Sequence, residues 1–190
     1  GGELPACDVP IDRGTPLGRI AFPCAGLKAP AMYRLAVGLA GTEIENGWTI
    51  WVYPAEVPAA APAGVLVATA LDAAVLAHLE AGGKAFLHSL RLPAAHPKGS
   101  FTPVFWNRQW FPGQACRTLG LLCDPAHRAL ASFPTELHCD WQWEDIVARS
   151  RCLVMDALPQ ELRPIVQPID DWNTNRKLGL VLECTVGKGA

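Results

Sequence analysis

The residues in this chain with the most chemistry are tryptophans set beside short amides, carboxylates and arginine. Trp106, Asn107, Arg108 and Trp110 stand within residues 101–111, which hold five aromatic side chains in eleven positions. Asp140, Trp141, Gln142, Trp143 and Glu144 form a second group, and residues 170–176, Asp-Asp-Trp-Asn-Thr-Asn-Arg, a third. An indole face stacks on a sugar ring, while amides, carboxylates and guanidinium groups hydrogen-bond its hydroxyls. The candidate carbohydrate contacts are therefore Trp106, Asn107, Arg108, Trp110, Trp141, Trp143, Asp171, Trp172, Asn173 and Arg176. Large aromatics also pin long loops to a core. Residues 90–118 read as such a loop, so packing or interdomain contact is the commoner use of the first group.

Other reactive groups carry less. Asp170 and Asp171 are a carboxylate pair of the kind used for acid–base work, but neighbours in sequence point apart and turn or cap duty is commoner. Glu136, His138, Asp140, Glu144 and Asp145 match no standard metal spacing, and acidic residues at a helix start serve capping and the dipole. The seven cysteines (Cys7, Cys24, Cys116, Cys123, Cys139, Cys152, Cys184) are scattered, odd in number and without a Cys-x-x-Cys. Neither a zinc site nor a disulfide framework is indicated. No Gly-x-Cys-x-Gly or Gly-x-Ser-x-Gly elbow is present. No catalytic residue, metal or cofactor is assigned. Cysteine usage leans towards a reducing, cytoplasmic setting without defining the compartment.

Two patterns of element must position these residues. Up to Pro54 the chain reads as β structure, with candidate strands at residues 17–22, 32–39 and 48–53 and turn signals at Gly41 and Asn46-Gly47. Such strands, with no helix between them, are part of a sandwich. Residues 55–64 are rich in Pro and Ala and read as a linker. From residue 65 an apolar run, a helical period over 71–81 ending at Gly82-Gly83, and a second strand over 84–89 form a βαβ unit of a parallel sheet. Thr69 or Asp72 would cap that helix. Short helices are expected over 126–132 and 141–149, the latter capped by Asp140. Strands are expected over 151–155, over 165–169 as an edge because of Pro168, and over 177–186, the longest strand signal. The Gly-Lys-Gly after it announces a turn into a further strand, so residues 65–190 read as an α/β domain truncated at its C-terminus.

Half of the 190 residues are hydrophobic, enough for a sizeable core. Sixteen Lys and Arg against eighteen Asp and Glu give a net charge of −2, which argues against nucleic acid. No apolar run is long enough to span a bilayer.

Six stretches taken together, at residues 46–54, 99–107, 119–124, 133–136, 140–143 and 169–177, resemble the C-terminal region of large bacterial glycoside hydrolase family 2 proteins. These are β-galactosidase-like and often described as sugar-binding. The resemblance implies an α/β fold class: partial immunoglobulin-like β-sandwich strands over 1–54, then a flavodoxin-like or amidotransferase-like parallel-sheet domain over 65–190. It implies a bacterial, non-catalytic accessory region of such a hydrolase, since the family's catalytic glutamates lie on a barrel that this chain lacks. The partners implied are the remaining domains of that enzyme, an oligosaccharide and a second copy of the chain. A self-standing carbohydrate-binding module is the alternative reading. A small amidotransferase-like or α/β-hydrolase enzyme stands behind both, because the elbow it requires is missing.

Overall fold

A computed structural model describes residues 2–11, 14–57, 60–88, 91–101, 118–138 and 140–190. Short strands and a few short helices are combined in it, a general α/β architecture.

Strands β1 (Ala31–Gly38) and β2 (Glu45–Val52) pair antiparallel, from Ala31↔Val52 to Gly38↔Glu45. The β-formers of Trp48-Thr49-Ile50-Trp51-Val52 favour the pleat. Alternation then sorts the side chains. Tyr33, Leu35, Val37, Trp48 and Ile50 share one face, and Met32, Arg34, Gly47, Thr49 and Trp51 share the other. The strand expected over residues 17–22 does not form. Pro16 and Pro23 bracket it, none of the described segments pairs with it, and Leu17, Ile20 and Phe22 are exposed.

The next unit runs β3 (Val65–Ala68), α1 (Ala73–Glu80) and β4 (Lys84–Leu87), with β3 and β4 parallel. Asp72 caps α1 by accepting the Val75 amide at 2.9 Å. At the other end the amides of Gly82 and Gly83 return to the carbonyls of Leu79 and His78, a Schellman closure. Gly82, at φ +89°, occupies the left-handed position that this closure requires. The Gly-Lys-Gly turn forms a bridge between Val186 and Gly189, and Ala190 then bonds to Gly83 and Ala85 on β4. The last residue thus lies parallel to β4.

The remaining pairs are antiparallel, unlike the parallel-sheet pairing expected from the sequence. β5 (Gly120–Cys123) pairs with β7 (Val166–Ile169), and β6 (Leu153–Val154) with β8 (Leu178–Gly179). Leu122 bridges His138 as well, so residue 138 lies on the other side of β5 from β7. The Val166 amide donates to Val181; two residues on, the Pro168 nitrogen faces the same edge, where the described residues pair with nothing further. A proline is accommodated there. The long strand expected over 177–186 is divided: residues 178–179 join β6, while Leu180 and Val181 bond to Val166. Gly179 lies so close to Met155 that a Cβ there would meet its sulfur at 2.6 Å.

Only a single 3-10 turn forms at Arg128–Leu130, within the helix expected over 126–132. The one expected over 141–149 is a 3-10 turn, Trp141–Trp143, running into α2 (Glu144–Ala148). The core gathers on this side: Leu121, Cys123, Leu130, Trp143, Val147, Ile165 and Val166, with Phe101, Phe133, Leu180 and Val181 against it.

A candidate aromatic and carboxylate cleft

The first group of sequence candidates, Trp106, Asn107, Arg108 and Trp110, lies outside the described residues. The others separate by burial. Trp143 is 2 % exposed, donates its indole N–H to Thr135 Oγ1 at 2.9 Å and meets Phe133 edge to face. It is a core residue with no face left for a sugar. Asp171 is buried and caps its own turn, accepting from the amides of Asn173 and Thr174 and from the Thr174 hydroxyl at 2.8 Å. Arg176 grips Asp170 in a two-point pair, Nε to Oδ2 at 2.8 Å and the second guanidinium nitrogen to Oδ1 at 3.1 Å. Burial would raise the Asp170 carboxyl. The Arg176 guanidinium and the amides of Arg176 and Asp171 outweigh it and hold the pKa below its ordinary value. The third group is thus a clasp whose tip carries the exposed Trp172 and Asn173.

Trp141 is different. It is 83 % exposed and stands at the rim of a cleft of about 460 Å³. One wall comes from β2 at Gly47, Trp48, Thr49 and Trp51; the other is Glu136, His138, Asp140 and Trp141. Because Gly47, Thr49 and Trp51 share the face opposite to Trp48, the Trp51 indole belongs to the cleft side. The walls are tied at one end. The Tyr53 hydroxyl donates to Gln142 Oε1, Gln142 Nε2 donates to the Pro134 carbonyl, and the Tyr53 ring stacks on Phe133 at 5.8 Å.

Asp140 is the group in the cleft that burial perturbs. Its backbone takes the extended cap conformation and its carbonyl accepts the Trp143 amide, yet its side chain makes no cap bond, contrary to the capping expected from sequence. Both carboxylate oxygens are buried without a hydrogen-bond partner among the described residues, and so is Trp51 Nε1. Burial pushes the Asp140 pKa up, and the Glu136 charge adds to this. The Glu136 amide approaches without closing a bond of normal geometry, and it and His138 pull the other way. Burial, then the Asp140 charge, raises Tyr53 too. The cleft therefore combines an exposed indole with a desolvated acceptor and a desolvated donor.

Sequence reasoning passed over Trp51 and Tyr53, which read simply as strand residues. The alternation Thr49, Trp51, Tyr53 along one face of a hairpin was the available signal. Among the described residues no group of three or more His, Cys, Asp or Glu, that of Glu136, His138 and Asp140 included, is placed to hold an ion. Of the cysteines, Cys152 is fully buried, and burial pushes its thiol up to about 11, which leaves it unreactive.

The architecture is thus an α/β domain carrying a β-hairpin, with an aromatic and acidic cleft between them. Residues 66–190 match the family model described as a domain of unknown function, DUF8487, and the chain belongs to that family. Residues 1–54 match a second domain of unknown function, DUF8488. No curated protein matches the chain.

Proposed function

We propose that this chain is a non-catalytic accessory region of a bacterial family 2 glycoside hydrolase, one that supports assembly of the enzyme and contacts carbohydrate. The observation that carries the reading is the cleft, where the exposed Trp141 stands beside Asp140 and Trp51. Exposed indoles beside hydrogen-bonding groups are the chemistry of sugar recognition. The sequence resemblance over residues 46–54, 133–136, 140–143 and 169–177 supports the same reading, because the first three of these stretches build or flank the cleft. The parallel β3–α1–β4 unit supports a flavodoxin-like or amidotransferase-like origin for residues 65–190. The hairpin, with an apolar face exposed, supports a sandwich remnant over residues 1–54. The remaining domains of the hydrolase are then the main partners.

The complete reading frame tests this: a family 2 barrel in the same polypeptide is the expected result, and its absence would overturn the hydrolase assignment. A self-standing carbohydrate-binding module is the second reading. It is favoured by the fact that both walls of the cleft come from this one chain.

A further inference from the structure

Resting on the carbohydrate reading above, we propose that the cleft between β2 and residues 136–141 is a subsite for one neutral pyranose, whose ring lies on Trp141 and whose adjacent hydroxyls bridge Asp140 and the Trp51 indole N–H. Four observations lead there. The two groups without partners are complementary: an ionised carboxylate only accepts and an indole N–H only donates. A sugar hydroxyl does both, so a vicinal pair answers both groups at once. An unsatisfied buried polar group is costly, so a ligand that completes it gains affinity by removing that cost. The volume, about 460 Å³, lies in the range that holds small ligands. Finally, the cleft lining holds the carboxylates of Glu136 and Asp140 and neither Lys nor Arg; His138 stands 3.5 Å from Glu136, and Arg34, packed over Gly47, is paired with Glu45. Uronates and sulfated sugars are repelled by such a lining, whereas neutral sugars are not. The Asp140 oxygens and Trp51 Nε1 each expose less than 1 Å². A hydroxyl therefore reaches them only with a local shift of the wall.

The test is calorimetric titration of the full chain with lactose, cellobiose and xylobiose, and with digalacturonate as the acidic counterpart. At least one neutral disaccharide should bind and digalacturonate should not. Trp141→Ala and Asp140→Ala should each weaken binding by about tenfold or more. Trp141 is exposed and Asp140 makes no side-chain hydrogen bond, so both variants should fold, as a melt will verify. Neutral-sugar binding that persists in both variants, or digalacturonate binding as tightly as the neutral sugars, overturns the subsite and leaves the wider reading standing. Failure of the unaltered chain to bind any probe overturns carbohydrate contact itself.

Discussion

At the scale of single residues, two aspartates face burial with opposite outcomes. Asp170 answers it with Arg176 and backbone amides; Asp140 has no such partner among the described residues. Asp170→Asn should cost about 3 kcal/mol, because it breaks a buried two-point pair. The two also differ in pH dependence. The folded pKa of Asp170 is depressed, so its stabilisation is complete above its ordinary 3.8 and is lost as pH falls through the folded value. The folded pKa of Asp140 is raised, so the folded state holds its proton more tightly than the unfolded chain does. Stability therefore decreases as pH rises from 3.8 through that raised value, then levels off. Asp140→Asn should accordingly melt higher than the unaltered chain at neutral pH, with the gap closing towards pH 4. Melting curves across this range decide it: an equal or lower melting temperature at pH 7 contradicts a desolvated, unpaired carboxylate.

At the scale of elements, the 3-10 turn Trp141–Trp143 directs two tryptophans into different environments two residues apart. Trp143→Ala should cost about 3–5 kcal/mol, since it removes a ring from the core and the indole N–H that Thr135 accepts. Trp141→Ala should change stability by no more than about 0.5 kcal/mol. Denaturant titration of both variants checks the contrast. The hairpin is tied to the α/β part through Tyr53, so Tyr53→Phe should cost about 1 kcal/mol by losing the bond to Gln142. Were the hairpin to dock by other means, near-neutral behaviour of that variant would reveal it. Direction of the strands also matters. The 138 segment and β7 both run antiparallel to β5, so Asp140 and Asp170 leave the sheet at the same end, beside Gly120. The second and third tryptophan groups therefore start from one edge.

At the scale of the whole molecule, the hairpin shows an unbalanced surface. Leu35, Val37, Trp48 and Ile50 lie on one face of β1 and β2, and all are exposed. An apolar sheet face of this kind drives association. The chain should therefore sediment as concentration-dependent oligomers, and Leu35→Lys with Trp48→Lys should shift it towards monomer. A monomer at all concentrations would count against this. No turnover of aryl β-glycosides is expected from the chain alone, because the proposed hydrolase would carry its paired catalytic carboxylates on a barrel. Activity abolished by mutating Glu136 or Glu144 would contradict the accessory reading.

Local chemistry was legible in the sequence at several points, though not at Asp140, whose expected cap bond does not form. The helical period over 71–81, the Gly82-Gly83 stop and the parallel strands around them appear in the structure, and of Thr69 and Asp72 it is Asp72 that caps the helix. Pro168 on a strand edge follows from its missing N–H, and the Asp-Asp-Trp-Asn turn from short carboxylates that bond their own backbone. What depends on partners far along the chain was not legible. Residues 17–22 have the composition of a strand yet pair with nothing among the described residues, and residues 177–186 divide between two partners, since a strand is defined by its neighbour and not by its own propensity. The cleft belongs to this second kind. Trp51 and Asp140 stand far apart in sequence, and nothing local marks either as unsatisfied. Only the docking of the hairpin through Tyr53 brings an unpaired donor and an unpaired acceptor into one cavity, because burial and hydrogen-bond completion are properties of the assembled surroundings.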